Sequence, residues 1–145
     1  MNSMERLAHS LLPRVLRILV IEDNLDAVHS TAMLLRELGH TVEYGINGYV
    51  ALDLARRFRP DFVLLDLGLP GITGYEVCKQ IKADPELMGT RVVALTAYSE
   101  PKYRERARQI GFDGYYVKPL LPQSLADLFG QPQAGQAPKH LPHPP

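Results

Sequence analysis

Tryptophan is missing from the 145 residues, and cysteine occurs once, at Cys78. A lone cysteine cannot close an internal disulfide, so the chain is no disulfide-stapled secreted domain and suits a reducing compartment. Cys78 falls in an apolar helical pattern and reads as an inert core thiol. Net charge is lacking too: 16 Lys+Arg balance 16 Asp+Glu. That balance removes the broad basic footprint of a nucleic-acid binder or of a protein held on anionic lipid. No apolar run approaches the ~20 residues that cross a bilayer. Arg6, Arg14 and Arg17 surround Leu11-Leu12, but Pro13 interrupts the stretch and no small-residue cleavage site follows. It reads as an extension, not a signal peptide, and the expected location is the cytoplasm.

What is present is an ordinary globular composition, 46% apolar and 22% charged, in a length that suits one core. Strands and helices alternate. Short apolar runs predict strands at Arg17–Ile21, Thr41–Tyr44, Phe62–Leu65, Arg91–Leu95 and Tyr115–Val117. Helical patterns fall between them, at Asp26–Leu38, Gly48–Phe58, Gly74–Ala83, from a Ser99-Glu100-Pro101 start to Ile110, and at Gln123–Phe129. In the first helix Val28, Met33, Leu34, Leu35 and Leu38 make the expected apolar face, with Gly39 as its stop. Ser99 is the expected cap of the fourth, with Pro101 in its first turn. Near-continuous apolar strands alternating with helices predict an α/β fold: a doubly wound five-stranded parallel sheet with helices on both faces. Residues 1–15 form the expected N-terminal extension and 16–129 the domain. Residues 130–145 form a Pro/Gln-rich tail expected to be flexible, its His140 and His143 solvated rather than metal-bound.

The strand ends carry the chemistry. Glu22-Asp23 ends the first strand, Asp66 the third, Thr96 the fourth and Lys118 the fifth. In open α/β sheets ligands bind outside the carboxyl ends of the strands, so one rim collects three carboxylates, a hydroxyl and an ammonium. Three carboxylates repel unless neutralised; Lys118 and one divalent cation balance them. Mg²⁺ takes few protein oxygens and keeps several waters. Its expected ligands are Asp23, Asp66 and the Gly68 carbonyl, with Glu22 acting through water, and Mn²⁺ could substitute. A carboxylate beside such an ion can attack phosphorus to give an acyl phosphate, with Lys118 and Thr96 on the remaining phosphoryl oxygens. Alone, each piece has a plain structural reading: Asp23 or Asn24 as a helix cap, Thr96 as a satisfied strand-end hydroxyl, Lys118 as a surface lysine.

Together these stretches resemble the receiver domain of two-component response regulators. The resemblance rests on Ile18-Leu19-Val20-Ile21-Glu22-Asp23-Asn24, on Leu64-Leu65-Asp66-Leu67-Gly68-Leu69-Pro70 with Gly74, on Ala94-Leu95-Thr96-Ala97, and on Tyr115-Tyr116-Val117-Lys118-Pro119. It implies the flavodoxin-like strand order 2-1-3-4-5. It further implies that Asp66 accepts a phosphoryl group from a phosphohistidine on a histidine kinase or histidine phosphotransfer protein. Glu22 and Asp23 would hold Mg²⁺, Thr96 would be the switch hydroxyl, and Lys118 would contact the phosphate. Tyr115 is the switch aromatic, its ring expected to turn inward when Thr96 moves, or else a fixed half-buried strand residue. The Lys118–Pro119 bond is expected to be cis. At the two positions that tune phosphate lifetime in the family stand Gly68 and Tyr98. Neither orients water, and Tyr98 is bulky enough to shield the group, so slow self-dephosphorylation is expected. Ala97 leaves access to the phosphate.

The resemblance implies a stand-alone receiver or the terminal receiver of a hybrid histidine kinase. It would be a monomer or weak dimer without direct nucleic-acid or membrane binding, and its enzymology would be limited to its own phosphorylation and dephosphorylation. A constitutive docking receiver is the alternative. A haloacid-dehalogenase-type phosphatase would need a second Asp where Gly68 stands. The fourth helix sets Lys102, Arg104, Arg106 and Arg108 against Glu100 and Glu105, either a solvated face or a contact for an acidic partner.

Overall fold

The computed structural model describes Asn2 and residues 14–130. The expected extension, the tail, His140 and His143 otherwise lie outside the described residues. Five strands, β1 (Arg17–Ile21), β2 (Thr41–Gly45), β3 (Phe62–Asp66), β4 (Arg91–Thr96) and β5 (Gly114–Val117), form one parallel sheet in the order β2-β1-β3-β4-β5. The helices are α1 (Leu25–Glu37), α2 (Ala51–Phe58), α3 (Gly74–Ala83), α4 (Pro101–Ile110) and α5 (Pro122–Phe129), with a 3₁₀ turn at Pro85–Leu87. No helix among the described residues is long and apolar enough to cross a membrane.

Side chains alternate across a strand, and that period divides the core in two. Leu19, Ile21, Val63, Leu65, Val92 and Ala94 pack under α2, α3 and α4, where Cys78 is fully buried. Burial pushes its thiol up to about 12, as suits a core thiol. Ile18, Val20, Leu64, Val93 and Leu95 pack under α1 and α5. All five residues of β3 are buried, so the central strand, with neighbours on both edges and layers on both faces, sets Asp66 at the end of a fully enclosed element.

Three sequence expectations change. Met33 is 55% exposed, and the buried face of α1 is Val28, Ala32 and Leu35. Met33 follows Val28 by five residues, roughly 140° round the helix, whereas Ala32 and Leu35 return to the same face. The second helix starts at Ala51, not Gly48: Asn47 Oδ1 takes the Val50 N–H at 3.1 Å, a local bond that competes with a helical turn. Glu100, not Ser99, stands at the N-cap of α4, without a side-chain cap bond. Proline excludes the helical conformation from its predecessor, so Pro101 holds Glu100 at φ −66°, ψ 140° and makes it the last extended residue. Of the two possible caps of α1, Asn24 serves, its Oδ1 accepting from Ala27 N–H at 2.9 Å.

Both ends of the domain meet at His40. Nδ1 accepts from the Leu16 N–H at 3.1 Å, so Nε2 carries the proton and donates to the Gly130 carbonyl at 2.8 Å. Burial lowers the pKa of this imidazole from its ordinary 6.5, with the Gly130 carbonyl partly opposing. A depressed histidine contributes stability that is complete above its unfolded value and is lost as pH falls through the folded one. The urea midpoint is therefore expected to drop between about pH 7 and pH 5. The drop should be smaller in His40→Asn, and equal slopes for the two proteins would remove His40 as its source.

Candidate functional site

The parallel register brings the strand ends to one rim. Ile21 pairs with Leu65, Asp66 with Leu95 and Thr96 with Val117, so Glu22, Asp66, Thr96 and Lys118 fall in adjacent positions along it. Backbone bonds extend the ladder past the strands: Glu22 N–H to the Gly45 carbonyl, Leu67 N–H to Leu95, and Lys118 N–H to Thr96 at 2.7 Å.

Glu22, Asp23 and Asp66 converge, one carboxylate oxygen from each lying within 4.8 Å of the others. Glu22 and Asp66 are buried and Asp23 is exposed, so the cluster opens to solvent on the Asp23 side. Lys118 Nζ spans the two buried acids, 2.5 Å from Glu22 Oε2 and 2.8 Å from Asp66 Oδ2. Burial opposes its charge, but Asp66 and Glu22 together hold the ammonium above the ordinary lysine range. Burial, with the Asp66 charge added, pushes Glu22 up, and the bond to Lys118 offsets part of that rise. Asp66 Oδ1 accepts from the Gly68 N–H at 2.9 Å, so the two oxygens are held from opposite sides.

Close backbone approach builds the loop after Asp66. A Cβ on Gly74 would lie 2.4 Å from the Asp66 carbonyl oxygen, and one on Gly48 would lie 2.5 Å from Ile72 Cγ2 and 2.9 Å from the Ile72 carbonyl. Thr73 caps α3 through Oγ1 to the Glu76 N–H at 3.2 Å. Thus β3 ends, turns and starts α3 within eight residues, and the turn is clamped by the β2–α2 loop.

Thr96 is buried, its Oγ1 accepting from the Tyr98 N–H at 3.0 Å. The Tyr115 ring is buried in this structure, and its hydroxyl donates to the Tyr98 carbonyl at 2.6 Å. Burial raises this phenol above its ordinary range. The Lys118–Pro119 bond is cis. Of the residues singled out in the sequence, the structure gathers Glu22, Asp23, Asp66 and Lys118 into one contact set and links Thr96 to Tyr115 through Tyr98. Gly68 enters through its N–H. The Tyr98 ring stacks on Tyr103 of α4, centroids 4.6 Å apart at 22°. The Lys118–Glu22 bond and the spacing duties of Gly48 and Gly74 went unread in the sequence; the only signal for the latter was glycine beside a predicted site.

An open parallel sheet with acids and a lysine at its carboxyl rim defines a class of phosphoacceptor switch domains. The model of the response regulator receiver domain matches residues 18–129, and the chain belongs to that family. It is 39% identical over 103 residues to the polar-differentiation response regulator DivK of Brucella anthropi, across 71% of this chain and 84% of that one. The chemotaxis response regulator CheY4 of Vibrio cholerae has a similar structure, with TM-score 0.73 and 26% identity over 77% of this chain and 93% of that one. So does the signal receiver domain of a signal transduction histidine kinase from Syntrophus aciditrophicus, with TM-score 0.70 and 30% identity over 77% and 85%. Receiver domains work with histidine kinases and are signalling proteins rather than metabolic enzymes.

Proposed function

We propose that Asp66 is the phosphoacceptor of this receiver and takes its phosphoryl group from a phosphohistidine of a histidine kinase or phosphotransfer protein. The observation that carries this is the paired restraint of the Asp66 carboxylate, Oδ1 by the Gly68 N–H and Oδ2 by Lys118. An Asp66 oxygen attacks phosphorus, the P–N bond breaks, and the imidazole nitrogen leaves with the bonding pair and takes up a proton. Lys118 then turns from a carboxylate oxygen to a phosphoryl oxygen.

The residues fit a divalent ion. Three clustered carboxylates against one ammonium leave two negative charges, and all the donors are hard oxygens. Mg²⁺ bound by Asp23, Asp66 and the Gly68 carbonyl, with Glu22 through water, would neutralise the charge of the incoming phosphoryl group. Mn²⁺ has the same preferences. The added phosphoryl oxygens offer the Thr96 hydroxyl a new acceptor. Thr96 drawn toward Asp66 loosens its hold on the Tyr98 N–H, and Tyr98 carries the carbonyl that receives Tyr115. The switch thus runs from Asp66 through Thr96 and Tyr98 to Tyr115.

Intact mass after incubation with acetyl phosphate tests this. One phosphate should be gained with Mg²⁺, none without it, and none in Asp66→Asn with Mg²⁺. No gain in any condition would favour a constitutive docking receiver. The lifetime is a separate expectation. A Cβ at position 68 would sit 3.6 Å from Asp66 Oδ1, close enough for a side chain to hold a hydrolytic water. Gly68→Asn should therefore shorten the acyl-phosphate half-life about tenfold, whereas an unchanged half-life would mean that something other than this bare position limits hydrolysis.

A further inference from the structure

The tip of the loop after Asp66 leans on a neighbouring loop. Leu67 and Leu69 are buried, while Gly68, Pro70 and Gly71 are exposed. Among the described residues no hydrogen bond reaches the backbone from Leu69 to Ile72, so packing alone holds it. The support is the β2–α2 loop, which is braced on its own account. Gly45 accepts from the Glu22 N–H at 3.1 Å, Asn47 Oδ1 from the Val50 N–H at 3.1 Å, and the Gly48 carbonyl from the Ala51 N–H at 3.3 Å. Two adjacent residues of this loop grip two adjacent residues of the other. Gly48 lies against Ile72, and Tyr49 lays the hydroxyl end of its ring across Gly71. A Cβ on Gly71 would stand 2.7 Å from Tyr49 Cε2 and from its hydroxyl oxygen, and 3.1 Å from Cζ. The ring thus fills the space of the side chain that Gly71 lacks.

Tyr49 is 71% exposed. A side chain left so far in water contributes little to stability through burial, yet this one covers the part of the loop that has neither a hydrogen bond nor a buried side chain. Gly68 has no side chain to anchor it, and its backbone is the most freely rotating kind. The direction of its carbonyl therefore follows the Leu69 side, which is only as firm as the Pro70-Gly71 tip beyond it. We propose that Tyr49 is a positioning residue for the phosphoryl site: its ring clamps Gly71 and so steadies the backbone of Gly68, whose N–H restrains Asp66 Oδ1 and whose carbonyl is offered to the divalent ion. A ligand already held in place binds its ion without a further ordering cost. The inference rests on the metal-assisted reading of Asp66 and Gly68 given above.

Amide NMR of the full chain titrated with MgCl₂ tests it, beside amide hydrogen exchange in metal-free buffer. The Gly68 amide should shift as Mg²⁺ is added, with a midpoint about tenfold higher in Tyr49→Ala, the smaller end of the loss that follows when the support of a metal ligand is removed. Phosphoryl gain from acetyl phosphate should fall at limiting Mg²⁺ in that variant and recover at saturating Mg²⁺. Without metal, the Gly68 N–H bonded to Asp66 Oδ1 should exchange several-fold faster. Tyr49→Phe keeps the ring and should bring each reading within about twofold of wild type. The melting temperature of Tyr49→Ala should stay within about 2 °C of wild type, which separates positioning from loss of fold. Ile46→Ala, exposed on the same loop, is the control and should change none of these. A wild-type Gly68 amide that ignores Mg²⁺ would remove the metal reading, and the metal-free exchange would still judge the clamp. Wild-type midpoint and exchange in Tyr49→Ala would overturn the proposal, as would a Phe variant as impaired as the Ala variant.

Discussion

Lys118→Met should slow phosphoryl gain from acetyl phosphate by about 10²–10³-fold, the usual cost of removing one preorganised donor from a developing charge. Lys118 is the only cation in contact with Glu22 or Asp66 among the described residues. Methionine fills a similar volume and leaves both acids without a cation, Asp66 keeping only the Gly68 N–H and Glu22 only that of Asn24. The charge of the site falls from −2 to −3 before metal binding, so the dianionic donor meets more repulsion and finds no ammonium for its oxygens. Removing one partner of a buried charge costs about 1–3 kcal/mol or more in stability. The lower end applies here, because the Lys118 side chain is 31% exposed and water reaches the acids on that side. The variant should therefore stay folded in a urea titration while its initial rate of mass gain collapses. Lys118→Arg separates charge from shape. A guanidinium keeps the charge but cannot occupy the point between Glu22 Oε2 and Asp66 Oδ2, so its rate should fall between the two. A Met variant that gains phosphate at the wild-type rate would reduce Lys118 to a structural counter-ion.

Where the rim lies was legible because a parallel strand buried on both faces must be continuously apolar. Its first polar residue then marks the edge of the core. Asp66 and Thr96 stand at such ends, Glu22 and Lys118 one residue beyond. Which rim residues touch was less legible. Lys118 and Glu22 are 96 positions apart, and their bond follows from strand order and register, which the family resemblance supplied and composition did not. The face of α1 differs at Met33 because hydrophobicity alone cannot distinguish neighbours on a helix when four apolar residues, Ala32 to Leu35, run consecutively in its second half. Arg59 holds φ 55° at the end of α2, a left-handed cap usually given to glycine, and nothing local announces it. The switch residues were legible as residue types. The Tyr98 carbonyl that receives Tyr115 was not, because any residue supplies a carbonyl and only the fold decides which.

Gly74→Ala should be the most damaging small substitution in the chain. The added methyl would meet the Asp66 carbonyl oxygen at 2.4 Å, Leu67 Cα at 2.8 Å and the Asp66 carbonyl carbon at 3.1 Å. All three are backbone atoms, so no rotamer change relieves the clash. Gly74 does not occupy the left-handed region, and the effect is therefore one of space rather than backbone conformation. Relief requires the first turn of α3 to retreat from the end of β3. That strains the long Gly74 N–H to Leu67 carbonyl bond of 3.4 Å and tilts the peptide that aims Asp66 at Lys118 and the Gly68 N–H. Overpacking of this kind costs about 3 kcal/mol, roughly a 10 °C fall in melting temperature for a domain of this size. Phosphoryl gain should drop with it even at temperatures where the variant is folded. Gly89→Ala is the control, since its methyl would meet nothing within 4 Å and should change stability by less than about 1 kcal/mol. Equal melting temperatures for the two variants would mean that the loop after Asp66 has room for a side chain at position 74, and that the acceptor is not aimed by this contact.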